Sequence, residues 1–221
     1  MQQIKKQPQT SNTKKDFKTK DAIIAFTSFA MVCVAIIIAL MAYDIFTIQN
    51  FLSFNHPMVM LIEVAAASSG LILYGIVLTV FISSTYIDDT NKSYQNNSLL
   101  NIIVFMSLAA LFEELLFRGI IQNVLFVLFI EQQWTAITVT TLLFLAFHTQ
   151  YFKKPVMLLN ISIPSLVFGW IFVETNNILA PFLVHFAMNV AMTLLFKYNL
   201  LSYKSNEDGW GTIKCISTVS N

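Results

Sequence analysis

The stretch Leu111-Phe112-Glu113-Glu114-Leu115-Leu116-Phe117-Arg118-Gly119 sets two carboxylates and a guanidinium inside a run whose flanks, 99–112 and 120–130, hold only apolar residues, Asn101, Ser107, Gln122 and Asn123. An ionisable side chain in a membrane span costs about 3 kcal/mol on insertion scales, so such residues face a bundle interior and belong to a site or relay. On a helix, neighbours point about 100° apart, so Glu113 and Glu114 cannot both face one partner. Arg118 is at i+4 from Glu114, the spacing at which a carboxylate and a guanidinium meet and neutralise one another. Glu113 is left free for chemistry.

Working outward, the whole chain reads as a membrane protein. Its 221 residues are 56% hydrophobic and only 11% charged, with twenty Phe and a mean hydropathy of +0.67, whereas soluble domains carry roughly 25% charged residues. The net charge of +1 is unevenly spread, because residues 1–20 hold six Lys and one Asp and the remainder sums to −4. This basic start, rich in Gln, Ser and Thr, cannot bury a core and is expected to be a disordered cytoplasmic tail touching anionic headgroups. The apolar run 22–43 that follows exceeds a signal-peptide core and has no A-x-A cleavage pattern, so it reads as a retained first span. Cys33 and Cys215 form no disulfide framework or CxxC.

Apolar segments at 22–43, about 64–82, 99–130, 134–148, 156–173 and 178–197 give about six spans, set against the roughly 20 residues a spanning helix needs. The fold class is therefore all-α, a polytopic transmembrane bundle. With the tail cytoplasmic, the outer loops 44–63, 131–133 and 174–177 contain Asp44, Glu63, Glu131 and Glu174 but no Lys or Arg. Every Lys falls inside, as the positive-inside bias requires, which places both termini in the cytoplasm of a multi-pass cell-membrane protein. The chain divides into the tail 1–20, two N-terminal spans with an inner polar loop (21–98), a four-span core (99–197) and a C-terminal tail (198–221). At 32 residues, 99–130 is too long for one perpendicular span, so tilt or a break near Gly119 is expected. Pro155 and Pro181 read as first-turn residues and Pro164 as a mid-helix kink. Trp134 and Trp170, near span ends, suit the interfacial aromatic belt.

Two further polar pairs lie in apolar runs. Phe144 and His148 share one helix face at i, i+4, as do His185 and Asn189. The third His, His56, falls in a loop. Hydrolysis of an amide needs a deprotonated water, a stabilised oxyanion and a protonated leaving amine. Glu113 suits the base, His148 the positioning of the water, and His185 with Asn189 the oxyanion. No metal is required by this assignment. His148 lies near the cytoplasmic end of its run while Glu113 and His185 are nearer mid-span, so convergence calls for tilt, a recessed helix end or a cavity open to the cytoplasm.

EExxxR, FxxxH and HxxxN, in that order on successive hydrophobic segments and with Phe117-Arg118-Gly119 after the glutamates, resemble the CPBP family of intramembrane proteases. That family groups type II CAAX prenyl endopeptidases with Abi-type proteins of bacteriocin processing and self-immunity. The likeness covers about 99–197. It implies catalytic roles for Glu113, His148, His185 and Asn189, with Glu114, Arg118 and Phe144 supporting them. It implies a membrane-associated peptide or protein as substrate. If zinc were used, Glu113, His148 and His185 would supply three ligands, the usual number for a catalytic zinc; no cofactor is the preferred reading.

Two other classes compete with the endopeptidase. A catalytically inactive immunity or scaffold protein keeps the fold without the chemistry. A proton-coupled transporter also uses Glu and His relays, but neither repeat symmetry nor the small span number supports it. No basic stripe beyond the tail points to nucleic acid.

Overall fold

The computed structural model describes residues 11–81, 97–129 and 132–201, with side chains from residue 20 onward. Residues 1–10 of the tail, most of the inner loop 83–98, Glu131 and the C-terminal tail from residue 202, including Cys215, lie outside the described residues. The described backbone is helical: α1 (Ser11–Ala42), α2 (Pro57–Phe81), α3 (Leu99–Leu128), α4 (Gln133–Phe147), α5 (Pro155–Thr175) and α6 (Leu179–Lys197). No strand is present among the described residues, only one isolated bridge between Leu52 and Asn177.

Five of these helices are long and apolar enough to cross a membrane, while α4 has 15 residues, about 22 Å of rise against a hydrocarbon core of roughly 30 Å. The sixth expected span is therefore a short helix. Two other boundaries differ from the sequence reading. Helix α5 runs to Thr175, so Glu174 stands on its last turn and not in an outer loop. In addition, α2 begins at Pro57, so the half-buried Glu63 stands on a helix and not in an outer loop; proline's fixed φ and missing N–H suit a first helical position.

The helix ends carry legible local signals. The Ser98 hydroxyl caps α3 by accepting from the Asn101 amide at 3.2 Å. Asp44, Asn176 and Asn199 take φ of 56°, 46° and 55° just beyond α1, α5 and α6. Asp and Asn enter this left-handed region more easily than other residues with a Cβ, and it stops a helix.

In the bundle α1 packs on α3, α2 on α6, α4 on α5, and α3 also on α6. The outward surfaces are apolar, for example Met31 and Ile38 on α1, Ile62 and Leu73 on α2 and Phe147 on α4, all more than half exposed. A bilayer solvates such faces, which accounts for the Phe-rich, charge-poor composition.

At one end the α1–α2 connection is clasped to the α5–α6 turn. The Ile178 amide donates to the Phe51 carbonyl at 2.9 Å, the Ser53 amide to Asn176 at 3.0 Å, and the Asn177 carboxamide to the Ser53 carbonyl at 2.7 Å. At the other end the Lys197 ammonium donates to the Asn97 carbonyl at 2.7 Å. The clasp presses Phe51 onto α3 at Gly119, where a Cβ would lie 2.9 Å from the Phe51 ring and 3.2 Å from Ile37.

Gly119→Val should overpack this seam and lower the unfolding free energy by about 1–3 kcal/mol. Thermal or SDS unfolding in detergent would show it, and pairing the change with Phe51→Ala should give a loss smaller than the sum of the two.

Candidate active site

The long helix α3 is one rod of 30 residues, but its middle is not α-helical. Leu115–Gln122 is a π-helical segment between the α-helical stretches Leu99–Glu114 and Asn123–Leu128. Extended i→i+5 bonding is rare and tends to mark functional sites. It answers the break expected near Gly119 without interrupting the rod.

Within the segment Arg118 and Gln122 are fully buried and both reach α5. The Arg118 guanidinium donates from Nη2 to the Ser165 carbonyl at 2.7 Å and hydroxyl at 2.8 Å, and Gln122 donates to the Gly169 carbonyl at 2.9 Å. Both pairs are 47 residues apart, two rungs at the same four-residue spacing on each helix. Gly169 has to be small there, since a Cβ would sit 3.0 Å from Gln122 Oε1 and 3.0 Å from Ile137. The guanidinium carbon lies 5.4 Å from the ring centres of both Phe144 and Phe168, an aromatic sandwich that favours a cation. Ser165 passes its own hydroxyl proton toward Thr141 at 3.3 Å.

Glu114 is buried to 0% exposure and meets Arg118 Nη1 at 3.3 Å, the i, i+4 pair read from the sequence. It also accepts from His185 Nδ1 at the shorter distance of 2.8 Å. A carboxylate only accepts, so Nδ1 carries the proton and Nε2 is the atom presented outward. His185 Nε2 lies 3.8 Å from Glu113 Oε2, and the imidazole stacks on Phe168 with ring centres 4.8 Å apart. Glu113, with 21% of its side chain exposed, occupies the wetter face.

His148 closes the C-terminus of α4, and its Nδ1 donates to the Phe144 carbonyl at 2.8 Å. The carbonyl has no proton to offer, so here too Nε2 is the free acceptor. The ring leans on Phe144 at 4.5 Å. Phe144 thus touches both Arg118 and His148.

One cavity of about 400 Å³ is lined by Glu113, His148, His185 and Asn189 together. These four site residues named from the sequence line it from three helices, as does Phe144, while the buried Glu114 and Arg118 do not. The depth mismatch of His148 is met because α4 is short and its end reaches the cavity. Among the described residues no three His, Cys, Asp or Glu side chains form a group fit to hold a metal ion. Glu113, His148 and His185 are not such a group, although the bond from Nδ1 to Glu114 leaves His185 Nε2 open.

Ser165, Gln122 and Phe168 were not singled out in the sequence, nor was the contact of Glu114 with His185. The available signal for the first two was the presence of polar residues in otherwise apolar runs.

Fold and site together define a polytopic helical membrane protein with a carboxylate and imidazole cavity inside the bundle. Residues 95–191 match the family model described as type II CAAX prenyl endopeptidase, Rce1-like, a span containing every site residue above, and the match supports a CPBP-type intramembrane protease. It is also similar to the uncharacterized protein YpbD of Bacillus subtilis (strain 168), 27% identical over 107 residues, 48% of this chain and 51% of that protein. The chain thus spans about half the length of the curated relative it matches. No solved structure matches.

Arg118→Met should leave Glu114 buried and unneutralised and cost about 3–5 kcal/mol of stability. Unfolding in detergent would measure it, and adding Glu114→Gln should recover part of the loss.

Proposed function

We propose that the chain is an intramembrane endopeptidase that hydrolyses a peptide bond of a membrane-associated peptide or protein with a water activated by Glu113. The observation that carries the reading is the single cavity onto which Glu113, His148, His185 and Asn189 all open. CAAX-type tails and bacteriocin-related precursors are the two substrate classes that the family likeness makes worth testing first.

In the first step Glu113 takes a proton from a water that donates its other hydrogen to His148 Nε2. The hydroxide so formed adds to the carbonyl carbon. The resulting oxyanion is held by the Asn189 carboxamide N–H and by His185 Nε2–H when that ring is protonated, its charge then offset by Glu114. Glu113 returns its proton to the leaving nitrogen as the C–N bond breaks, acting first as base and then as acid. Glu114 orients His185 much as a buried aspartate orients the histidine of a serine protease.

The side from which substrate enters follows from charge. Lys153 and Lys154 follow His148 closely in the chain, and with lysines on the cytoplasmic side the cavity would open toward the cytoplasm.

The test is cleavage of a peptide library by the purified protein in detergent, with and without chelator. Glu113→Gln and His148→Ala should abolish turnover while the proteins still insert into membranes, and Asn189→Ala should lower kcat about 10²–10³-fold. Chelation should leave the rate unchanged; activity lost to chelator and restored by zinc would overturn the metal-free mechanism.

A further inference from the structure

Helix α5 carries three polar side chains between residues 156 and 168, and two are already engaged. Ser165 holds Arg118, and Ser162 bonds back to the Leu159 carbonyl at 3.3 Å. The third, Asn160, lines the cavity, and its carboxamide makes no hydrogen bond to any described residue. An amide in a membrane helix is retained against a desolvation cost, so an unengaged one facing a cavity points to a ligand.

A second feature coincides with it. Pro164 lies inside α5, four residues after Asn160. Proline has no N–H, so the Asn160 carbonyl lacks its α-helical donor. Asn160, Pro164 and Phe168 fall on one stripe at four-residue spacing, and all three line the cavity. The stripe thus offers a carboxamide with both donor and acceptor, and a backbone carbonyl short of its helical partner.

The other end of the stripe is fixed at the chemistry, because Phe168 stacks on His185 at 4.8 Å. Eight helical residues rise about 12 Å, which an extended peptide covers in roughly three to four residues. A substrate entering a dry cavity loses the water that solvated its backbone, and each amide then needs a protein partner.

We infer that Asn160, with the carbonyl relieved by Pro164, is a substrate-docking residue that pairs with one backbone amide of an extended peptide, three to four residues from the bond to be cleaved. Such pairing reads main chain and not side chain, so it fixes register while tolerating varied sequence. The inference rests on the endopeptidase reading above, and the experiment separates the two.

Detergent-solubilised full chain is assayed with a pool of short fluorescein-labelled peptides. Binding is measured by anisotropy on Glu113→Gln and on the same variant with Asn160→Leu. Kinetics are measured on wild type, Asn160→Leu and Pro164→Ala, using any cleaved peptide and its series of single backbone N-methylations. Leucine at position 160 suits an apolar helix, so that variant should insert normally.

The expected result is a KM raised about tenfold in Asn160→Leu with kcat unchanged, as for loss of a docking hydrogen bond. In wild type one N-methyl group, three to four residues from the cleaved bond, should carry a penalty that is lost in Asn160→Leu where the carboxamide oxygen accepts that N–H, or in Pro164→Ala where the backbone carbonyl does. Unchanged binding and KM in Asn160→Leu, or an N-methyl pattern identical in all three proteins, would overturn the docking role while cleavage stands. Peptides bound in an Asn160-dependent way but never cleaved would support docking and defeat hydrolysis; a pool that does not bind at all defeats both.

Discussion

The ion pair between Glu114 and Arg118 is the constraint on which this architecture turns. Two unit charges at 0% exposure could not be held in a bundle interior without one another, and even paired they return little net stability, because desolvation roughly cancels their attraction. What the pair supplies is position. Arg118 is seated between two aromatic rings and on Ser165 of α5, while Glu114 extends the network to His185 of α6. Three helices are thereby registered against each other by groups whose misplacement would cost more than any single apolar contact. The imidazole that faces the cavity inherits its tautomer and its orientation from this arrangement.

The π-helical segment makes the registration possible. Its wider turn places Arg118 and Gln122 on one buried face against α5 while Gly119 meets α1 and Phe51 on another. A regular α-helix of the same sequence would carry its faces forward from Glu114 in a different rotation. The rod therefore continues across the bundle, yet changes which residues it offers to its neighbours at the point where the charged groups lie.

How far the sequence could reveal this depends on whether a feature is local. Spans 22–43 and 178–197 end where their helices end, because apolar runs and the Asp or Asn that stops them are neighbours in the chain. The Glu114–Arg118 pair was legible from i, i+4 spacing. The start of α2 was not, since a few apolar residues after Pro57 look the same in a loop as in a first turn. Nor was the bond from His185 to Glu114, made across 71 residues; the histidine read equally well as an oxyanion donor alone. The π-segment leaves no trace in hydrophobic periodicity, because its flanks are apolar on every side.

The pairing of Glu113 with Glu114 shows how one residue type, repeated at adjacent positions, is given two tasks by geometry alone. The backbone turns successive side chains about 100° apart, so one carboxylate must enter the packed interior when the other reaches the cavity. Glu114 meets a guanidinium and an imidazole there and is committed to holding them. Glu113 is partly exposed, with only a 3.8 Å approach to His185 Nε2, and keeps its lone pairs available to a water. Exchanging the two environments would require rotating the rod, which the Gly119 seam and the Arg118 and Gln122 rungs forbid. The division of roles is thus a property of helix packing, set before any substrate arrives.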